Sequence, residues 1–227
     1  MNEIVKIQSS HPSGRRLCII DDCNFFSLAV KQLSGAKYDY IAHIRLPVAG
    51  ECGLFPEMHY DAVIINLHYS ISIQFSILRS LVRSCVRGKF KGPVIILTDM
   101  SANCIQVLLR LAGLPYVSGD NFYAIPSRLS PQQMKCALQD IITGSTELKP
   151  VTAQAFNLTP LRRASLMAMI EGVPEKQQAR NQNCQIKSVY NLRHVVIQHL
   201  AGVSQHAFLC GAFTHRFSHY QENMAAC

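Results

Sequence analysis

Arg16-Leu17-Cys18-Ile19-Ile20-Asp21-Asp22 is a compact apolar run that ends on two acids. A run this short, with no polar alternation, is the pattern of a strand buried on both faces. Residues 25–33 follow with apolar positions at helical spacing, residues 38–46 can form a strand, and Asp61-Ala62-Val63-Ile64-Ile65-Asn66-Leu67 repeats the opening pattern. Residues 73–86 place apolar side chains at 77, 78, 81, 82, 85 and 86, one face of a helix. Residues 93–98 form another buried strand, Ser101 can cap a helix reaching Ala112, and Tyr116-Val117 reads as a short fifth strand. Ser130-Pro131 opens a further helix that ends near Gly144, a Ser cap followed by Pro in the first turn. Strands alternating with helices of this length imply βαβ units, hence an α/β domain with a doubly wound parallel sheet of five strands.

The polar stretch 144–157 breaks this rhythm and is expected to be a linker. Beyond it the periodicity is wholly helical. Leu158-Thr159-Pro160 starts a helix that Gly172 stops, and helices follow over 174–182, 185–201 and 204–213. The expected organisation is an N-terminal extension (1–14), an α/β domain (15–143), a linker (144–157) and an all-α domain with its tail (158–227), each domain with its own modest core. The 227 residues accommodate two such units comfortably.

Composition narrows the classes. Apolar residues make up 48% of the chain and the longest apolar runs are far short of a membrane span, so no membrane association and a cytoplasmic location are expected. Nine scattered cysteines, odd in number and without a Cys-x-x-Cys pair, read as reduced thiols. The net charge is +8, and residues 151–227 hold seven Lys and Arg against three Glu, with five histidines besides. That balance attracts a polyanion. His206, Cys210, His215 and His219 lack the ligand pairs that close a tetrahedral zinc site, so no metal and no cofactor is expected. No nucleophile–base pair or phosphate-cradling glycine loop points to an enzyme.

In an open parallel sheet the site lies at the carboxyl ends of the strands. Those ends supply Asp21 and Asp22, Asn66 and Thr98. Over residues 15–143 these pieces resemble the receiver domains of NarL/FixJ-type response regulators, with Asp21-Asp22 as the acidic pair, Asn66 on the acceptor strand and Thr98 on the threonine strand. In that family position 66 is an aspartate that takes a phosphoryl group. Asn66 is a poor nucleophile and carries no charge for a metal, so the resemblance implies a degenerate acceptor site that works without aspartyl phosphorylation. The family's lysine at the end of the fifth strand has no counterpart near Tyr116-Val117-Ser118-Gly119. Asp21 and Asp22 can either still bind Mg²⁺ or serve only capping and solubility. Arg79, Arg83 and Arg87, four residues apart, form a basic stripe that is either a solvated face or a surface for an acidic partner.

From Leu158 to about Val203 the chain resembles the LuxR-type helix-turn-helix domain, on Leu158-Thr159-Pro160, Glu171-Gly172, Ala179, Lys187-Ser188-Val189, Arg193, Leu200 and Gly202-Val203. Gln178 and Gln182 stand where that family buries Ile and Leu, which predicts loose packing there. Within 185–199, Val189, Leu192, Val196 and Leu200 recur at core spacing, and the other face carries Lys187, Ser188, Tyr190, Asn191, Arg193 and His194. Lys187, Tyr190, Asn191 and His194 are expected nearest base edges, Ser188 and Arg193 nearest phosphates. The resemblance implies a transcription regulator of double-stranded DNA acting as a homodimer or with a related response regulator, the apolar helix 103–111 and residues 114–117 being the candidate association surface. The alternative is a partner-capturing interaction protein with little DNA binding of its own.

Overall fold

The computed structural model describes residues 14–34, 38–45, 60–88, 92–114, 121–145, 150–151, 158–201 and 203–211. Nine elements form the first part: β1 (Arg16–Ile20), α1 (Asn24–Ser34), β2 (Tyr40–Ile44), β3 (Ala62–Leu67), α2 (Ile71–Val86), β4 (Val94–Thr98), α3 (Ala102–Leu111), β5 (Phe122–Ile125) and α4 (Pro131–Thr143). All strand pairings are parallel and the order is β2-β1-β3-β4-β5. This is the receiver-like, flavodoxin-like order, whose site lies where the strand order reverses, between β1 and β3. Leu17, Cys18, Ile19 and Ile20 are all buried, as a strand covered by helices on both faces requires. Ser101 caps α3 by accepting from the Cys104 amide. Ser130 and Gln133 form a capping box on α4, Pro131 fills its first turn, and Gly144 ends it at φ 70°.

The fifth strand lies later than expected. It is Phe122–Ile125, bounded by Asn121 and Pro126, while Tyr116 and Val117 fall outside the described residues. Pairing on one side only, with Tyr123 and Ala124 half-buried, it lacks the continuous apolar run that betrays β3 and β4.

A helical unit follows: α5 (Pro160–Ile170), α6 (Glu175–Asn181), α7 (Ile186–Ala201) and α8 (Gln205–Cys210). Thr159 caps α5 ahead of Pro160, and Gly172 at φ 71° turns the chain toward α6. The last helix is shorter than expected. Gly211, at φ 71°, closes it in a left-handed C-cap, and residues 212–213 lie outside the described part, as do His215 and His219. Among the described residues no helix is long and apolar enough to cross a membrane.

The cores divide by sheet face rather than by domain. One cluster, with Leu17, Ile19, Ile64, Ile95 and Leu138, fills the side covered by α1 and α4. The other starts with Cys18, Ile20, Val63, Ile65 and Ile96 under α2 and α3 and runs on into Leu166, Ile170, Val196, Ile197, Leu200 and Phe208 of the helical unit. The expectation of a separate core for each half is thereby revised. Helix α3 carries more apolar side chains than one sheet face can bury because its other side packs on α7, with the Ser101 hydroxyl donating to the Leu200 carbonyl at 3.1 Å. The apolar surplus at 103–111, expected to mediate association between chains, is thus used within the chain. Helix α8 sits on α2, and Gly211 is so close to the Tyr69 carbonyl that an added Cβ would lie 2.0 Å from that oxygen.

Candidate functional site

Helix α7 packs on α5 and α6 through Val189, Val196, Ile197 and Leu200, each nearly free of solvent. Its outward side exposes Lys187, Ser188, Tyr190, Asn191 and His194. These five residues, expected at bases and phosphates, therefore share one accessible surface. Ile186, which sequence periodicity did not single out, joins them: it opens the helix and is 43% exposed. A β-branched apolar residue left in solvent one turn before Tyr190 is the signal that could have found it.

Arg193 is the exception. Expected at phosphates, it is instead 3% exposed and directed inward. Its Nε donates to Gln178 Oε1 at 2.9 Å, Nη1 to Glu175 Oε1 at 2.8 Å and Nη2 to the Val173 carbonyl at 2.6 Å. Gln178 in turn donates to Ser165 Oγ at 3.1 Å, and Gln205 of α8 donates to Glu175 at 3.2 Å. Three buried polar side chains, Ser165, Gln178 and Arg193, thus meet across α5, α6 and α7. A buried guanidinium is tolerable only when its donors are paired, and here each nitrogen has an acceptor. Hydrogen bonding at its own backbone amide, with the field of Arg193, outweighs partial burial and holds the Glu175 carboxyl below the usual range. Gln178 accordingly does not loosen the unit; it is 2% exposed and fully engaged.

At the carboxyl ends of the strands, β1 and β3 bring Asp21 and Asn66 together. Ile20 lies level with Ile65, so the next residues meet, and Asn66 Nδ2 donates to Asp21 Oδ2 at 3.2 Å. Asp21 Oδ1 accepts from the Cys23 amide at 3.1 Å, and His43 Nε2 is 2.8 Å from the Asp21 carbonyl. Burial pushes the Asp21 carboxyl above the ordinary carboxylate range. At Asp22 partial burial is outweighed by Tyr69, Asp21 and the field of His68, and its carboxyl lies below that range. His68 Nε2 is 3.3 Å from Asp22 Oδ1. Thr98 is buried at the end of β4, where its hydroxyl accepts from the Met100 amide at 3.1 Å. Strand β5 ends on Ile125, 1% exposed, followed by Pro126, so an apolar side chain stands where a strand-end lysine would be sought.

One ligand atom each of Asp21, Asp22 and His68 lies within 4.8 Å of the others. The set suits Mg²⁺ poorly. That ion takes oxygen donors, whereas both Asp21 oxygens are already engaged, Asn66 turns an N–H toward the pair, and the third donor is an imidazole. The amide does by hydrogen bonding what a cation does among carboxylates: it relieves the charge of a buried acid.

No protein-family model matches the chain, and no curated protein matches it. Solved structures do. RcsB from Salmonella enterica serovar Typhimurium, bound to promoter rprA in the presence of phosphomimetic BeF3-, matches with a TM-score of 0.50 at 13% identity, covering 86% of this chain and 96% of the other. The same regulator bound to promoter P1flhDC matches with a TM-score of 0.50 at 15% identity, again covering 86% and 96%. At these identities what is shared is the fold, a parallel α/β sheet followed by a helical unit.

Proposed function

We propose that the chain is a DNA-binding transcription regulator that works without aspartyl phosphorylation. In this reading residues 15–143 are a degenerate receiver-like domain, 144–157 a linker and 158–227 a LuxR-type helix-turn-helix domain. The observation that carries it is α7: a helix fixed by its apolar side to α5 and α6, with Lys187, Ser188, Tyr190, Asn191 and His194 exposed together on the other. A helix of this kind fits the major groove, where Asn pairs with adenine, Lys with guanine, and hydroxyls hold phosphates. The matched regulator is bound to promoter DNA, which lends the same partner to this chain as a proposal. Asn66 supports independence from phosphorylation, since an amide offers no oxygen nucleophile for an acyl phosphate.

Two such half-sites read together gain avidity through effective concentration, so the regulator acts as a homodimer or beside a related regulator. The test is binding of the full chain to duplexes selected from a random pool. Lys187→Ala and Asn191→Ala should each weaken the selected duplex by about 1 to 3 kcal/mol relative to random DNA. Wild-type affinity in the double variant removes α7 from the recognition role. Failure to bind any duplex at low salt favours the partner-capturing alternative.

A further inference from the structure

We propose that Ile186 and Tyr190 of α7 read the 5-methyl group of thymine, so that the duplex this helix selects has A·T pairs at the centre of its contact. The inference rests on the DNA-binding reading above. Ile186 and Tyr190 stand one helical turn apart, 43% and 52% exposed, and beside them Lys187 and Asn191 stand one turn apart in the same way. Two parallel i, i+4 rows, one apolar and one polar, therefore run along the first two turns, the part of a recognition helix that meets base edges.

The polar row alone could read only donors and acceptors. The apolar row has one feature in the major groove to match, the thymine methyl, since every other group presented there is polar. An A·T pair satisfies both rows at once: adenine N6 and N7 receive the Asn191 amide bidentately, and the methyl of the paired or neighbouring thymine lies against Ile186 and the Tyr190 ring. Burying a methyl on an exposed aliphatic side chain is favourable by the hydrophobic effect, and it discriminates thymine from cytosine in a way no charge on α7 can. In the free protein Ile186 stands nearly half in solvent, outside the α5–α6–α7 core.

The experiment uses the full chain and a duplex enriched from a random pool, resynthesised with deoxyuridine in place of thymidine so that only methyl groups are lost. Affinity should fall by about fourfold for each methyl contacted. Ile186→Ala and Tyr190→Ala should weaken the thymine duplex but not the deoxyuridine duplex, and Tyr190→Phe should keep the discrimination because its ring remains. Equal affinity for the two duplexes, or equal losses on both in Ile186→Ala, overturns the inference while leaving DNA binding intact. Binding without enrichment of any sequence overturns it likewise, and absence of binding to every duplex overturns the DNA-binding reading with it.

Discussion

Arg193 Nη1 lies 2.8 Å from Glu175 Oε1, and this ion pair holds α7 to α6 from within. The other two guanidinium nitrogens donate to Gln178 and to the Val173 carbonyl, so removing the arginine strands those two acceptors and leaves Glu175 to Gln205 alone. Arg193→Met should destabilise the protein by about 3 to 5 kcal/mol in urea unfolding, the usual penalty for breaking a buried pair. Replacing the whole set by apolar or neutral groups, Ser165→Val, Glu175→Gln, Gln178→Ile and Arg193→Met together, should recover most of that loss. An Arg193→Met protein of wild-type stability but with a shallower salt dependence of DNA binding would return Arg193 to the phosphates.

Asp21 gives stability an uncommon pH dependence. Its carboxyl lies above the ordinary value because burial disfavours the charged form, so the folded state binds that proton more tightly than the unfolded chain does. The contribution of this group is therefore most favourable in acid and is lost as pH rises from the unfolded value through the raised folded one. Asp22 and Glu175 are lowered and act in the opposite sense, losing stability as pH falls. Asp21→Asn should match wild type in thermal melts below the ordinary carboxylate value and exceed it increasingly as pH rises above that value. A difference that does not change with pH would show that the raised carboxyl is not its source.

Much of this architecture was legible because its signals are local. β1, β3 and β4 each carry a compact run of four apolar residues, and the caps at Ser101, Ser130 and Thr159 fall where the sequence puts a hydroxyl before a helix. β5 escaped because it is four residues long and half-exposed on its inner pair. The burial of Arg193 escaped for another reason. A guanidinium on the edge of a polar face reads as solvent-facing until its partners are known, and these lie 15 to 20 residues earlier, on α6 and the turn before it. Gln178 read alone suggested a packing defect, whereas Gln178, Ser165 and Arg193 together form a matched set. The use of α3 against α7 was equally invisible, since its apolar surplus suits a partner chain as well as a neighbouring helix.

Asn66→Asp tests whether the amide stands in for a cation. The substitution sets a second carboxylate about where Asn66 now donates to Asp21 at 3.2 Å, exchanging a hydrogen bond for like-charge repulsion. Stability at neutral pH should fall by about 1 to 3 kcal/mol. Millimolar Mg²⁺ should restore it, because the new carboxylate adds a third charged oxygen donor to Asp21 and Asp22, and should leave the wild-type melt unmoved. Equal melting temperatures with and without Mg²⁺ in the Asn66→Asp protein would remove Asn66 from this role.

A continuous apolar cluster runs from Ile65 and Leu108 to Leu200 and Phe208, so the two halves should unfold together. Heat should melt the full chain in one transition with equal calorimetric and van't Hoff enthalpies, where two independent domains would give two. Gly211→Ala is the sharper probe. Its site combines φ 71°, which disfavours a side chain, with the Tyr69 carbonyl 2.0 Å from where the Cβ would stand, so α8 must lift from α2 to admit it. The variant should lower the melting temperature of sheet and helical unit alike, read by hydrogen exchange at Ile64 and Ile95 as well as at Val196. Loss of protection at Val196 with β3 and β4 unchanged would mean that the halves are stable apart and that the shared cluster contributes little to either.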